Sequence, residues 1–279
     1  RPAGEVAQEL WQRLLAEPWP LRLEALPPDT ALVGGAVRDG LLGRLEAQPD
    51  LDLVVAGDAI GLTRQLARSH GGSAVVLDAD HGIARLVMGG WTIDLARRDG
   101  DSLEADLGRR DYTVNAIALP LPSDGQSPDA LVDPTGGLTH LGRRELVAVS
   151  EANLLADPLR LLRGIRLACS LDFTLEPTSR GWIERHGGLL TQVAGERVLV
   201  ELEKLATAPN GERGLALALS CGLLQGWGAD ARAGALLAEL QLDRAEQRGL
   251  DAAETAWALP LARLSALLPA QALAEGARI

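Results

Sequence analysis

Asp50 and Asp52 stand two residues apart in the run Pro49-Asp50-Leu51-Asp52-Leu53-Val54-Val55. The run is β-prone, and on a strand alternate side chains share a face, so both carboxylates project one way while Leu51 and Leu53 face the other. Two carboxylates on one face can hold a pair of magnesium ions about 4 Å apart, which activates an attacking hydroxyl and neutralises a leaving pyrophosphate. Taken alone, such a strand is also an ordinary charged edge that discourages pairing. The upstream run Gly34-Gly35-Ala36-Val37-Arg38-Asp39 tips the balance. It reads as a strand-to-helix turn whose glycines carry no Cβ to keep phosphates from backbone N–H groups, with Arg38 as a fixed cation nearby.

That order of elements, a glycine turn with Arg38-Asp39 and then Asp50-x-Asp52, resembles the head of the polymerase β superfamily in its bacterial CCA-adding and poly(A) polymerase branch. Arg109-Arg110-Asp111-Tyr112-Thr113-Val114-Asn115-Ala116 is similar to the branch's RRDxTxNA segment, which implies recognition of the sugar and triphosphate. Chemically, forked guanidiniums suit phosphate oxygens, and Asp111 or Asn115 can bond a ribose hydroxyl. Asp157-Pro158-Leu159-Arg160 resembles the EDxxR signature, which implies that Asp157 and Arg160 template the incoming base. An aspartate can accept from a cytosine amino group while an arginine donates to the ring nitrogen and carbonyl. Arg163, three residues on, shares the helix face of Arg160. The sequence departs from the signature at Ala156, where the family often has glutamate, so selectivity is expected to be looser or the arginine braced otherwise.

Glu196-Arg197-Val198-Leu199-Val200-Glu201-Leu202 matches the ERxxxEL element, which implies a structural role for Glu196, Arg197 and Glu201. The spacing is read as bringing the two glutamates near one another, and Asp39 is read as a structural partner beside Arg38. The resemblance covers roughly residues 30–205. It implies an enzyme that transfers a nucleoside monophosphate from an NTP to a tRNA 3′ end, with Mg2+ as cofactor and pyrophosphate as leaving group. Few residues separate Asp94 from Asp106, where CCA-adding members usually carry a longer flexible loop, and this shortening resembles CC-adding members. CTP and two cytidine additions are therefore expected, with ATP addition, poly(A) synthesis or a noncatalytic RNA-binding role as the alternatives. Asp94 reads equally as a third acid beside the metals and as an exposed strand residue.

The elements that must position these residues follow from periodicity. Val6, Leu10, Trp11, Leu14 and Leu15 mark a helix over 4–17, and Ala31–Val33 a strand entering the glycine turn. After Leu51–Val55 come a helix at 57–69, a strand at 74–77, and a hairpin of 83–88 and 91–95 around Gly89-Gly90. From Glu151 the pattern turns helical, interrupted at Pro158, Pro177, Gly187-Gly188, Pro209-Asn210-Gly211 and Gly222. The fold class expected is α+β: a nucleotidyltransferase head with a mixed sheet over 1–147, a helical neck over 148–205 and a helical body over 206–279.

Aromatic residues make up only 3% of the 279, so Leu, Val and Ala must fill the interior. Cys169 and Cys221 lie far apart without metal-ligand spacing, and His70, His81, His140 and His186 form no zinc pattern. No apolar run approaches the roughly 20 residues that span a bilayer. A cytoplasmic protein without a membrane partner is expected, and the sequence leaves a homo-oligomer open. The formal net charge of −11 is unusual for a protein that handles RNA, because phosphate binding needs local cations. The arginines are clustered, however, and two of the clusters fall inside the segments above.

Overall fold

The computed structural model describes residues 3–15, 19–122, 128–230, 232–247 and 249–268. The chain divides into two compact units, Arg1–Gly142 and Arg143–Ile279.

The first unit opens with α1 (Ala3–Leu14), which buries Ala7, Leu10, Trp11 and Leu14 at helical spacing while Leu15 lies exposed beyond its end. Then follow β1 (Ala31–Val33), α2 (Gly35–Leu41), β2 (Leu51–Val55), α3 (Ala59–His70), β3 (Ser73–Asp78), β4 (Ile83–Met88), β5 (Trp91–Arg97), α4 (Leu103–Leu107), β6 (Ala118–Pro120) and α5 (Gly137–Arg143). The six strands form one mixed sheet in the order β3-β4-β5-β2-β1-β6, in which β2 and β5 run parallel and every other pair antiparallel. A parallel pair requires a crossover, and the chain between β2 and β5 supplies it through α3 and the β3-β4 strands. Asp58 caps α3 by accepting from the Gly61 N–H at 2.9 Å, and Gly71, in the left-handed region, ends it. The inward face of α3, Ala59, Thr63, Leu66 and Ala67, packs on β4. Burial of Leu66 alone is worth about 2 kcal/mol.

The second unit is built mainly of helices: α6 (Glu151–Ala156), α7 (Leu159–Leu171), α8 (Pro177–His186), α9 (Gly195–Thr207), α10 (Gly211–Ser220), α11 (Ala233–Leu237), α12 (Leu242–Gln247) and α13 (Ala252–Ser265). A two-residue parallel ladder also occurs here, between β7 (Glu145–Leu146) and β8 (Thr174–Leu175). Each strand is too short to show a period in the sequence. The core centres on α7, whose Leu161, Leu162, Ile165, Leu167 and Leu171 are buried and which packs against α9 and α10.

Arg263 of α13 is 1% exposed and ties this core together. Its guanidinium donates to the carbonyls of Ala206 and Ala208 at 2.8 Å, of Leu240 at 3.0 Å and of Pro209 at 3.3 Å, and to the Glu212 carboxylate at 2.5 Å. The carbonyls at the end of α9 have no partner within that helix, so this one buried cation satisfies groups that would otherwise cost free energy. The five-residue step from Glu196 to Glu201 turns the two side chains well apart on α9, because 3.6 residues complete a turn. Glu196 is exposed, whereas Glu201 is buried and accepts from Arg166 Nε at 2.5 Å. The expectation that the two glutamates lie together is therefore corrected: Glu201 braces α7, and Glu196 faces water.

Candidate active site

In the first unit, β2 lies between β1 and β5, and the register sets Val33, Asp52, Asp94, Arg85 and Val75 as successive partners across β1, β2, β5, β4 and β3. Residues in such a row share a face of the sheet. Leu51 and Leu53 are buried on the opposite face, Asp52 is half-buried and Asp50, just before the strand, is exposed. Asp50 is therefore open to solution and Asp52 partly so, with the strand anchored beneath them.

Gly34 follows β1 directly and adopts φ +74° and ψ −136°, a conformation that side-chain-bearing residues rarely take. A Cβ placed there would lie 2.8 Å from Oδ2 of Asp52, so the backbone of the turn sits against this carboxylate. The approach requires glycine twice over, for the dihedral and for the space.

Arg38 points back from α2. Its Nε and Nη2 donate to the two oxygens of Asp39 at 3.0 and 2.7 Å, and its Nη1 donates to Asn115 Oδ1 at 2.6 Å. Asn115 Nδ2 in turn donates to Asp111 Oδ1 at 3.3 Å, an oxygen that also accepts from the Tyr112 N–H at 2.7 Å. The glycine turn and the Arg109–Ala116 segment thus form one hydrogen-bonded network, with Asp111 and Asn115 buried in it. Arg38, expected as a cation for phosphate, has three of its donors engaged inside the protein. Arg109 is exposed and pairs with Asp99, while Arg110 pairs with the buried Asp106 at 3.0 Å.

Asp94 is held by Arg85, whose Nε and Nη2 donate to its two oxygens at 2.7 and 2.9 Å. Hydrogen bonding to Asp94 raises the Arg85 pKa above its ordinary value against the opposing effect of burial, and the charges of Asp94, Asp50 and Asp52 add to the rise. The acids and this guanidinium therefore share one electrostatic environment. Sequence reasoning missed Arg85, although a signal existed. In a hairpin turning at Gly89-Gly90 with Met88 opposite Trp91, counting three residues back along each strand sets Arg85 opposite Asp94.

Among the described residues no three or more His, Cys, Asp or Glu side chains gather into a group that could hold a metal ion by themselves. Magnesium fits the donor set nonetheless, because it takes one or two carboxylates and completes its shell with water and substrate phosphate. The open Asp50, the half-buried Asp52 and the Gly34 turn against it are that kind of partial site.

In the second unit, α6 ends at Ala156 and α7 begins after Pro158, which leaves Asp157 extended between them. Arg197 Nη2 and Nη1 donate to Asp157 Oδ2 and Oδ1 at 2.7 and 3.3 Å. Arg160 Nη1 donates to the Asn153 carbonyl at 2.9 Å, in the last turn of α6 where carbonyls lack helical partners. The arginine is thus braced by main chain, and a side chain at position 156 is not needed for this. Arg163 lies exposed one turn further along α7.

The profile described as "Poly A polymerase head domain" matches residues 30–98 and 95–147, and "Probable RNA and SrmB- binding site of polymerase A" matches 172–227. The chain belongs to the poly(A) polymerase and tRNA nucleotidyltransferase family. Within this family it is 43% identical over 208 residues to the CC-adding tRNA nucleotidyltransferase of Synechocystis sp., covering 75% of this chain and 49% of that protein. It is 43% identical over 207 residues to the A-adding tRNA nucleotidyltransferase of Deinococcus radiodurans, covering 72% and 45%. A solved tRNA-processing enzyme with CTP superposes with a TM-score of 0.72 at 29% identity, covering 85% of this chain and 66% of that one. The chain thus spans about half the length of the curated relatives it matches. The α+β class with a nucleotidyltransferase head agrees with these neighbours.

Proposed function

We propose that this chain is the catalytic part of a tRNA nucleotidyltransferase that adds cytidines from CTP to tRNA 3′ ends and releases pyrophosphate. The observation that carries the reading is the Gly34 turn seated against the Asp52 carboxylate, on the face of the sheet that also bears Asp94. Asp50 and Asp52 are the residues that would hold magnesium, which when bound lowers the pKa of the attacking 3′-hydroxyl and neutralises charge at the phosphates. Gly34 and Gly35 leave room for a triphosphate beside these acids. Arg38 and Asn115 keep that turn fixed to the Arg109–Ala116 segment, from which Arg109 and Asp111 are assigned to the nucleotide. Asp157, accepting, and Arg160, donating, are assigned to the base edge, with Arg163 one turn further along α7.

Cytidine is preferred over adenosine as the substrate because residues 98–102 alone connect β5 to α4, which leaves no long loop there. The likeness to the A-adding protein of Deinococcus radiodurans supports the second reading, in which ATP is used. No described helix is long and apolar enough to cross a membrane. With Cys169 and Cys221 both unbridged, the proposed setting is the cytoplasm.

The test supplies a tRNA lacking its 3′ end with CTP, ATP or both and sequences the product ends. Two cytidines with CTP alone are expected, and roughly a thousandfold or greater loss on Asp50→Ala or Asp52→Ala. Extension by ATP onto ends already carrying two cytidines selects the second reading. Near wild-type incorporation by both aspartate variants overturns either one.

A further inference from the structure

Asp94 is the register partner of Asp52 on a neighbouring strand, and adjacent strands run about 4.8 Å apart, so a third carboxylate stands next to the proposed cation site. Both of its oxygens, however, are gripped side-on by Arg85, the next residue in the same row. A guanidinium opposes the approach of a cation, and its two hydrogen bonds take one lone pair on each oxygen and hold the carboxylate toward Arg85. Within this row the fork of Arg85 offsets the charge of Asp94 beside Asp52. We propose that Arg85 is a positioning residue that sequesters Asp94 and thereby limits the affinity of the nucleotide-free head for divalent cations. The proposal rests on the reading of Asp50 and Asp52 as the cation-holding pair.

The consequence is functional. A site with three available carboxylates would hold a divalent cation tightly before the nucleotide arrives. A site with two waits for the triphosphate oxygens to complete the shell, so that metal and nucleotide enter together. Val75 of β3, the neighbour of Arg85 on its far side, is apolar and offers the guanidinium no competing acceptor from its side chain.

The experiment measures Mn2+ binding to the full chain without nucleotide or RNA, from the loss of the free-ion electron paramagnetic resonance signal. It compares wild type, Arg85→Met, Asp94→Asn, their double variant and Asp52→Ala, each with a circular dichroism melt to report folding. Charge counting orders the affinities: Arg85→Met binds roughly tenfold tighter than wild type, Asp94→Asn weaker, and the double variant within about twofold of wild type. A folded Arg85→Met with wild-type affinity, or a double variant as tight as Arg85→Met, overturns the proposal and leaves the proposed function standing. Wild-type binding that Asp52→Ala leaves intact places the cation elsewhere and overturns both.

Discussion

Gly34 is the position at which one methyl group separates folding from activity. Alanine there must adopt φ +74° and bring its Cβ within 2.8 Å of the Asp52 carboxylate, so either the turn or the aspartate has to move. The strain amounts to about 1–3 kcal/mol, which a domain of this size survives. A displaced carboxylate is more damaging, because misplacement by about 1 Å costs about a hundredfold in rate. Gly34→Ala is therefore expected to lower the proposed nucleotide addition at least about a hundredfold with a melting temperature only a few degrees below wild type. Wild-type turnover by a folded variant would remove the glycine turn from the mechanism. The positions of Asp50, Asp52 and Gly34 were legible because strand period and glycine geometry are local properties. The partners of Asp157 were not: Arg197 lies 40 residues away and reaches it only through the packing of α9. Arg85 falls between these cases, since the hairpin that pairs it with Asp94 was legible while the fork-to-carboxylate grip needed side-chain coordinates.

The elements hold their boundaries for reasons that can be titrated. Helix α8 starts at Pro177, whose fixed φ suits a first turn, and Glu176 caps it by accepting from the N–H groups of Thr178 and Ser179 at 2.9 and 2.8 Å. Burial pushes the Glu176 carboxyl up, but hydrogen bonds from the Ser179 and Thr178 backbones and the Ser179 hydroxyl outweigh it and bring the pKa to about 2. A carboxylate depressed on folding stabilises the native state above its unfolded pKa near 4.5, and that contribution disappears as pH falls from there toward 2. Glu176→Gln should therefore cost about 1 kcal/mol at neutral pH and show a shallower loss of stability below pH 4.5 than wild type. Urea unfolding followed by circular dichroism at several pH values reads both, and parallel pH profiles for the two proteins would contradict the assignment. Pro177, like Pro158 and Pro209-Asn210-Gly211, was legible as a break in the helical pattern, and a helix begins at or just after each. The β7-β8 ladder and the Arg263 anchor were hidden, because both depend on which distant segments meet.

At the scale of the whole chain, a net charge of −11 must coexist with the proposed RNA handling. Lys204 is the only lysine, so arginine carries nearly all of the positive charge. Much of that charge is spent internally: Arg38 on Asp39, Arg85 on Asp94, Arg110 on Asp106, Arg166 on Glu201, Arg197 on Asp157 and Arg263 on Glu212. An arginine that neutralises a carboxylate of its own chain releases few counterions when a phosphate approaches. The excess acid also repels the RNA backbone at longer range. Contact with tRNA should accordingly rest on few phosphates, about three to four, and the logarithm of affinity should fall with the logarithm of salt at a slope near −3. Between 50 and 200 mM monovalent salt this predicts a weakening of roughly forty- to a hundred-and-fiftyfold, where a basic protein making eight contacts loses about two more powers of ten. Fluorescence anisotropy with a labelled tRNA lacking its 3′ end measures the slope directly. A value steeper than about −6 would mean that the internal ion pairs open to serve the RNA, and a value near zero that cationic groups play no part in holding it.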